Sequence, residues 1–327
     1  MRVDVHAHWW AASYLDLLVE LGRKDLARAG RQSDDLSDRI AEMDANKVDV
    51  QVLSAIGLDT YVGDRDADVA ACRHINDRYA ATVAERDGRF AAFASVPLPW
   101  VDAAVAEAAR ALDDLCMAGV ALPCSFAGRP IDDPEFEPFW AALGARDAVV
   151  YVHPVGSHSS CHPGLADWNL DMAYGSPTQV AAAAARIAFS GVSTRHPGIR
   201  FVFAMCGGTL PLLWKRHEVN LFRGIRMSAV AAVGRNFFSW IDDLPIDRED
   251  PMGLLRNFWY DTGFQDVPEV MFLARHSFGV DRLLLGSDAI FASLTEAVRY
   301  IEDSPYLSAD EKHQILDVRA AEVLRLS

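Results

Sequence analysis

Short apolar runs rich in β-branched and aromatic residues recur along this chain, and most are followed by segments with helical spacing. That alternation restricts the fold more than any other feature. A run such as "AVVYVHP" offers no polar face, as expected of a strand buried on both sides, and such strands belong to parallel sheets covered by helices. Eight runs fit: Val3 to His8, Val48 to Ile56, "RFAAFASVPL", Ala118 to Pro123, Ala148 to Pro154, Ile199 to Met205, "NFWYDTG" and Arg282 to Asp288. Helical patterns lie between them, among them "SDRIAEMDAN", "DVAACRHINDRYAATVAERDG", "VDAAVAEAARALDDL", "DPEFEPFWAALGAR" and "SPTQVAAAAARIAFSG". Gly88 is a stop signal for the second of these. The last helical stretch, "SADEKHQILDVRAAEVL", opens on Ser308 with Glu311 three residues on, a capping pattern. Eight alternating units predict an α/β chain folded as a (β/α)8 TIM barrel, with residues 1–327 as one domain. The additional length is expected in insertions near 157–175 and 223–251.

The opening "MRVDVHAHWW" places His6 and His8 one residue apart at the end of the first strand. Residues i and i+2 of a strand share a face, so both imidazoles project together. A polar strand end at the surface would read the same way, and the rest of the chain has to decide. In a barrel of this kind, sites gather at the C-terminal ends of the strands. His153 ends the fifth strand in "VVYVHP", and Asp288 ends the eighth in "LLLGSD". Three imidazoles and one carboxylate from three strands then meet at one rim. That donor set suits a single divalent ion, Zn²⁺ first, with Mn²⁺ or Fe²⁺ as alternatives.

Composition narrows the partners. The formal net charge is −15, which repels a phosphate backbone and argues against nucleic-acid binding. No run of apolar residues is long enough to span a bilayer, and the N-terminus lacks a signal-peptide pattern. Five cysteines are scattered without a C-x-x-C, which fits reduced thiols in the cytoplasm.

Taken in order, these motifs resemble the amidohydrolase superfamily, in its amidohydrolase-2 branch. That branch holds the aminocarboxymuconate-semialdehyde decarboxylase and resorcylate decarboxylase families. "VDVHAH" resembles the branch's opening H-x-H, "RIAEMDANKVDVQVLS" its second-strand block, and "GRPIDDPEFEPFWAAL" its fourth-helix block. "VVYVHP", "IAFSGVSTRHPGIRFVFAMCGGTLP", "FWYDTG" and "RLLLGSDAIF" follow in the same order. The resemblance implies His6, His8 and His153 as metal ligands, and Asp288 as a ligand or a proton carrier beside the metal. It implies one metal without a bridging carboxylated lysine, and "AGVALP" accordingly contains no lysine. It also implies a small-molecule substrate and a homodimer.

One departure bears on the chemistry. The family carries A-H-G-G-G or S-H-C-G-G after the sixth strand, whereas this chain reads "AMCGG", with Met205 at the histidine position. A thioether neither accepts a proton near neutral pH nor carries charge, and general acid–base help is worth about 10²–10⁴-fold in rate. Hydrolysis of an amide or lactone needs that help, as would a hydration. Non-oxidative decarboxylation of a hydroxyaryl or unsaturated acid rests instead on polarisation of bound oxygens and one proton, which Asp288 can supply. The sequence therefore points first to a carboxy-lyase. The alternatives are hydrolysis or hydration, and a barrel repurposed for rearrangement or binding. A lesser departure is Arg319, where relatives often carry asparagine.

Other residues invite an expectation. Trp9 and Trp10 enter the first βα loop, either packing beneath it or forming an aromatic wall for a planar substrate. His158, His162 and Trp168 lie in the loop after the fifth strand, where they can cover the site, and either histidine can replace the missing base. Cys206 is expected to pack. Asp261, ending the seventh strand, is placed to hydrogen-bond a ligand histidine. Arg39, and Arg223, Arg226 and Arg235 in the insertion after the sixth strand, are candidate partners for a substrate carboxylate. His217 is expected on a helix surface, and no role is assigned to His74, His196, His276 or His313.

Overall fold

Eight strands carry the architecture: β1 Val3–His8, β2 Val50–Ser54, β3 Phe90–Ala94, β4 Gly119–Pro123, β5 Val149–His153, β6 Arg200–Phe203, β7 Trp259–Asp261 and β8 Leu283–Leu284. They form one sheet in sequential order with every neighbouring pair parallel. The sheet returns on itself. Val5 N–H donates to Leu285 O at 3.0 Å, Asp288 N–H donates to His6 O at 2.8 Å, and Ala7 bridges Ala289 in parallel. The chain is thus the expected (β/α)8 barrel, seen in a computed structural model that describes residues 1–327 except 25, 30–32, 59, 155–162, 166, 231–238, 264–266 and 327.

Each strand lies within its sequence run, trimmed at the ends where pairing stops. Helices cover the outside, and their starts follow local chemistry. Asp64 caps Arg65–Glu85 by accepting from Ala67 N–H at 3.0 Å, and Ser293 caps Leu294–Glu302. Proline stands in the first turn of Pro268–Phe278, where a missing N–H costs nothing. Two stretches that read as single helices change geometry part-way. Val101–Ala109 passes into a π-type turn over Arg110–Asp114, and Ala309–His313 into another over Gln314–Val318. A long helix, Leu210–Val230, occupies the first part of the stretch expected as an insertion at 223–251. No helix of the described residues is long and apolar enough to cross a membrane.

Two buried clusters separate the layers. The larger packs the helices on the outer faces of the strands. The smaller fills the barrel, with Val3, Val5, Val52, Phe93, Tyr151, Val202 and Leu284 as its centre, and Ala320, Val323 and Leu324 of the last helix joining it. The polar residues buried among these layers include Asp4, His6, His8, His153, Asp261 and Asp288. All but Asp4 sit at or beyond the C-terminal half of their strands, so the polar content of the barrel is concentrated at one end.

Candidate metal centre

His6 and His8 both reach the barrel interior, although simple alternation from Val3 would turn them away from it. The β1–β2 register explains this. Val3 pairs with Val50 and Asp4 with Gln51, but Ala7 then pairs with Leu53 and His8 with Ser54. Val5 and His6 together stand opposite the single residue Val52. This is a β-bulge, and it reverses the parity of the strand beyond it. Val3 and Val5 stay in the interior cluster, while His6 and His8 join the same side nearer the rim.

The four residues predicted as ligands come together. One donor atom each from His6, His8, His153 and Asp288 lie within 4.8 Å of one another, and all four residues are buried. The Nε2 atoms of His6 and His8 face each other at 3.3 Å. Asp288 Oδ1 lies 2.8 Å from His8 Nε2 and 3.2 Å from His6 Nε2. The ring of His153 stands edge-on to both others, with centroids 4.9 Å away in each case. Hydrogen bonds alone pair all three atoms only if both rings donate to the one oxygen, which sets two N–H groups against each other 3.3 Å apart. One cation among them would satisfy all three without that conflict, and the span is close to what bonds of about 2.0–2.2 Å bridge.

The outer nitrogens are held in the tautomer that such a site requires. His6 Nδ1–H donates to Asp261 Oδ1 at 3.2 Å, and His153 Nδ1–H donates to Pro154 O at 2.6 Å, leaving each Nε2 as a lone-pair donor. Asp261 is itself fixed. Its Oδ2 accepts from Tyr151 Oη–H at 2.9 Å, and its Oδ1 accepts from Gly263 N–H at 2.7 Å and Met205 N–H at 3.2 Å. The expectation for Asp261 thus has its geometric counterpart. Gly263 is required by contact: a Cβ there would lie 2.9 Å from Asp261 Oδ1 and closer still to His6 Nδ1.

Electrostatics follow from burial and neighbours. Burial disfavours the charged form of His6, but the Asp261 and Asp288 carboxylates outweigh it and push its pKa up to about 10. Burial lowers His8, and it lowers His153 well below the usual imidazole range with help from the two neighbouring rings. Burial would raise Asp288, yet His6 and His8 hold it well below the usual carboxylate range. Without an ion the two carboxylates favour a protonated His6, and a divalent ion bound at its Nε2 would take the place of that proton and release it.

The remaining expectations divide. Trp10 follows His8 on the same face and stacks on it, centroids 5.7 Å apart, with Phe291 against both rings. Trp9 does not contribute to a substrate wall. It points the other way, against Tyr79, with its indole N–H on Ser33 O at 3.2 Å. Strand alternation separates the two tryptophans. Trp168 is 87% exposed on a turn, and among the described residues nothing packs it against the cluster. His158, His162 and Arg235 lie outside the described residues. Met205 is buried in the interior cluster with φ of 58°, next to Cys206 at 51°, and Asp288 has φ of 61°. Left-handed residues also stand at Lys47, Asp87, Cys116 and Asp147, in turns ahead of strands, so this conformation alone does not mark the site. Burial raises the Cys206 thiol, which fits a packing role. Arg39 does not face the cluster; it donates to Gln51 Oε1 and to His8 O behind β1. Arg223 and Arg226 are exposed on Leu210–Val230, and His217 on the same helix is half-buried edge-on to Phe189. Tyr151, Gly263 and Phe291 were missed. Tyr151 was findable, because it lies two residues before His153 on the same strand face.

Comparisons with known proteins agree with this fold and place the chain in a family. The family model described as Amidohydrolase matches residues 3–326. The chain is 28% identical over 295 residues to 2-amino-3-carboxymuconate-6-semialdehyde decarboxylase of Dictyostelium discoideum, covering 88% of this chain and 76% of that protein. It is 26% identical over 289 residues to gamma-resorcylate decarboxylase of a Rhizobium species, covering 84% and 83%. Among solved structures, 5-carboxyvanillate decarboxylase of Novosphingobium aromaticivorans superposes with a TM-score of 0.82 at 20% identity, covering 100% of this chain and 97% of that one. That structure holds manganese and 3-methoxy-4-hydroxy-5-nitrobenzoic acid.

Proposed function

This chain belongs to the amidohydrolase family, and from that premise we propose that it is a metal-dependent, non-oxidative decarboxylase of a small hydroxyaryl or unsaturated carboxylic acid. The observation that carries the reading is the convergence of His6, His8, His153 and Asp288 at one rim of the barrel. The relatives named above are decarboxylases, which supports the same choice.

A divalent ion held by these four residues would act as a Lewis acid toward substrate oxygens. The protein does the rest. Asp261 and Pro154 O keep the His6 and His153 rings oriented through their Nδ1–H groups. Trp10 and Phe291 give an apolar wall beside His8 for a planar substrate. Met205, uncharged and buried, offers no base that would activate a water. Asp288, a carboxylate in the free site, takes up a proton from solvent as the substrate binds and passes it to the carbon that bears the substrate carboxylate. The bond to that carboxylate then breaks, its electron pair returns to the substrate, carbon dioxide leaves, and Asp288 takes its next proton from solvent. Zn²⁺ is our first choice of ion for three nitrogens and one carboxylate, with Mn²⁺ or Fe²⁺ next. A cytoplasmic homodimer completes the proposal.

Elemental analysis of the purified protein should find about one tightly held divalent ion per chain. With that ion, a panel of ortho-hydroxybenzoic and unsaturated acids should include one that releases carbon dioxide. Asp288→Asn should lower that rate by about 10²–10⁴-fold. Clean hydrolysis of an amide or ester, with no carbon dioxide from any acid, would overturn the reading. Light scattering of the eluted peak reads the oligomeric state.

A further inference from the structure

The bulge that turns His6 and His8 inward is not held by the metal-facing side of the strand. Behind β1 lies a buried chain of polar groups that touches no ligand side chain. Asp4 is its centre and is fully buried. Its Oδ1 accepts from His6 N–H at 3.1 Å and Ser287 N–H at 2.9 Å. Its Oδ2 accepts from Ser287 Oγ–H at 2.6 Å and Gln51 Nε2–H at 2.7 Å. Gln51 Oε1 accepts from Arg39 Nη1–H at 2.7 Å, and the same guanidinium donates through Nη2 to His8 O at 2.8 Å. Ser287 Oγ in turn accepts from Ala289 N–H at 3.1 Å.

The ends of this chain fall on main chain at or beside a ligand. Asp4 takes the N–H of His6, Arg39 takes the carbonyl of His8, and Ser287 immediately precedes Asp288. Asp288 N–H also donates to His6 O at 2.8 Å, which closes the barrel seam at the same point. A bulge leaves ladder groups unpaired, and a buried unpaired N–H is costly. The Asp4 carboxylate satisfies the N–H of His6 that the slip from Val52 frees. Without this chain, strand alternation would send His6 and His8 to the face opposite Val3 and Val5.

We infer that Asp4, with Ser287, Gln51 and Arg39, is a positioning device for the metal centre: it fixes the backbone of β1 and β8 so that His6, His8 and Asp288 meet. The inference rests on the metal-dependent reading above. It assigns to the aspartate of "VDVHAH" a role distinct from ligation, since its carboxylate is fully engaged on the other side of the strand.

The test compares wild type with Asp4→Asn and Ser287→Ala, each purified and stripped of metal. An asparagine supplies one acceptor oxygen and one N–H₂ group, which then meets the donors that the carboxylate satisfied. Ser287→Ala removes one donor to Asp4 and the acceptor for Ala289 N–H, with little change in volume. The readouts are the Zn²⁺ dissociation constant by chelator competition, the visible absorption of the Co²⁺-loaded protein, and thermal melting of the metal-free form. Both variants should bind Zn²⁺ about 10–100-fold more weakly and show shifted Co²⁺ bands. If Asp4→Asn does not fold, Ser287→Ala decides alone. Wild-type affinity and spectrum in the variants, or a lower melting temperature with unchanged affinity, would overturn the inference while leaving the functional reading intact. A wild type that holds neither ion would overturn both.

Discussion

At the scale of single residues, the site is governed by which way each side chain faces. His6, His8, His153 and Asp288 were legible from residue type and strand-end position, because a donor set for a cation needs little more than that. Facing directions were less legible. Trp9 and Trp10 are chemically alike, yet only Trp10 stands in register with His8, and only it stacks there. Met205 is buried at the rim in the interior cluster. If its thioether only fills space, Met205→Leu should keep the decarboxylation rate within about tenfold, since volume-conserving apolar changes cost little, under about 1.5 kcal/mol. Steady-state kinetics of that variant check the point. A loss of about 10² or more would mean that the sulfur takes part. Burial raises Cys124 and Cys206 above the ordinary thiol range, so neither should compete as a nucleophile.

At the scale of elements, the strands were read almost directly and the helices in outline. Apolar runs in "VVYVHP" or "IRFVFAM" leave no alternative to burial, whereas helix continuity depends on packing that a sequence does not display. The π-type turns at Arg110–Asp114 and Gln314–Val318 are examples, both lying inside stretches of unbroken helical spacing. The capping of the last helical segment was legible. Ser308 Oγ accepts from Glu311 N–H at 3.3 Å, while Glu311 Oε2 accepts from Ser308 N–H at 2.8 Å. This start leads to the helix that places Ala320, Val323 and Leu324 on the interior cluster. Ser308→Ala should therefore destabilise the protein by about 1 kcal/mol, seen as a lower urea midpoint, with metal content unchanged. An unaltered midpoint would show that the cap carries no weight once the segment is packed.

For the whole molecule, a metal held at this centre would form one thermodynamic unit with the barrel, because the candidate ligands come from β1, β5 and the segment after β8 and the seam closes between His6 and Asp288. An ion that binds only the folded chain stabilises it by about 4 kcal/mol at a free concentration of 1,000 times its dissociation constant. Chelation should lower the melting temperature, and added Zn²⁺ or Mn²⁺ should restore it; a transition indifferent to both would contradict a resident ion. The order of strands and the four candidate ligands were determined by the sequence alone, since each follows from local apolarity or from residue type at a strand end. The facing of those ligands was decided only in the tertiary structure. A bulge in β1 reverses parity without leaving a mark in the local pattern, and it is held by Asp4, Gln51 and Ser287, which come from three separate strands or their ends. Hydrogen bonds across 47 and 283 residues of chain have no local signature, because only folding brings their partners within reach.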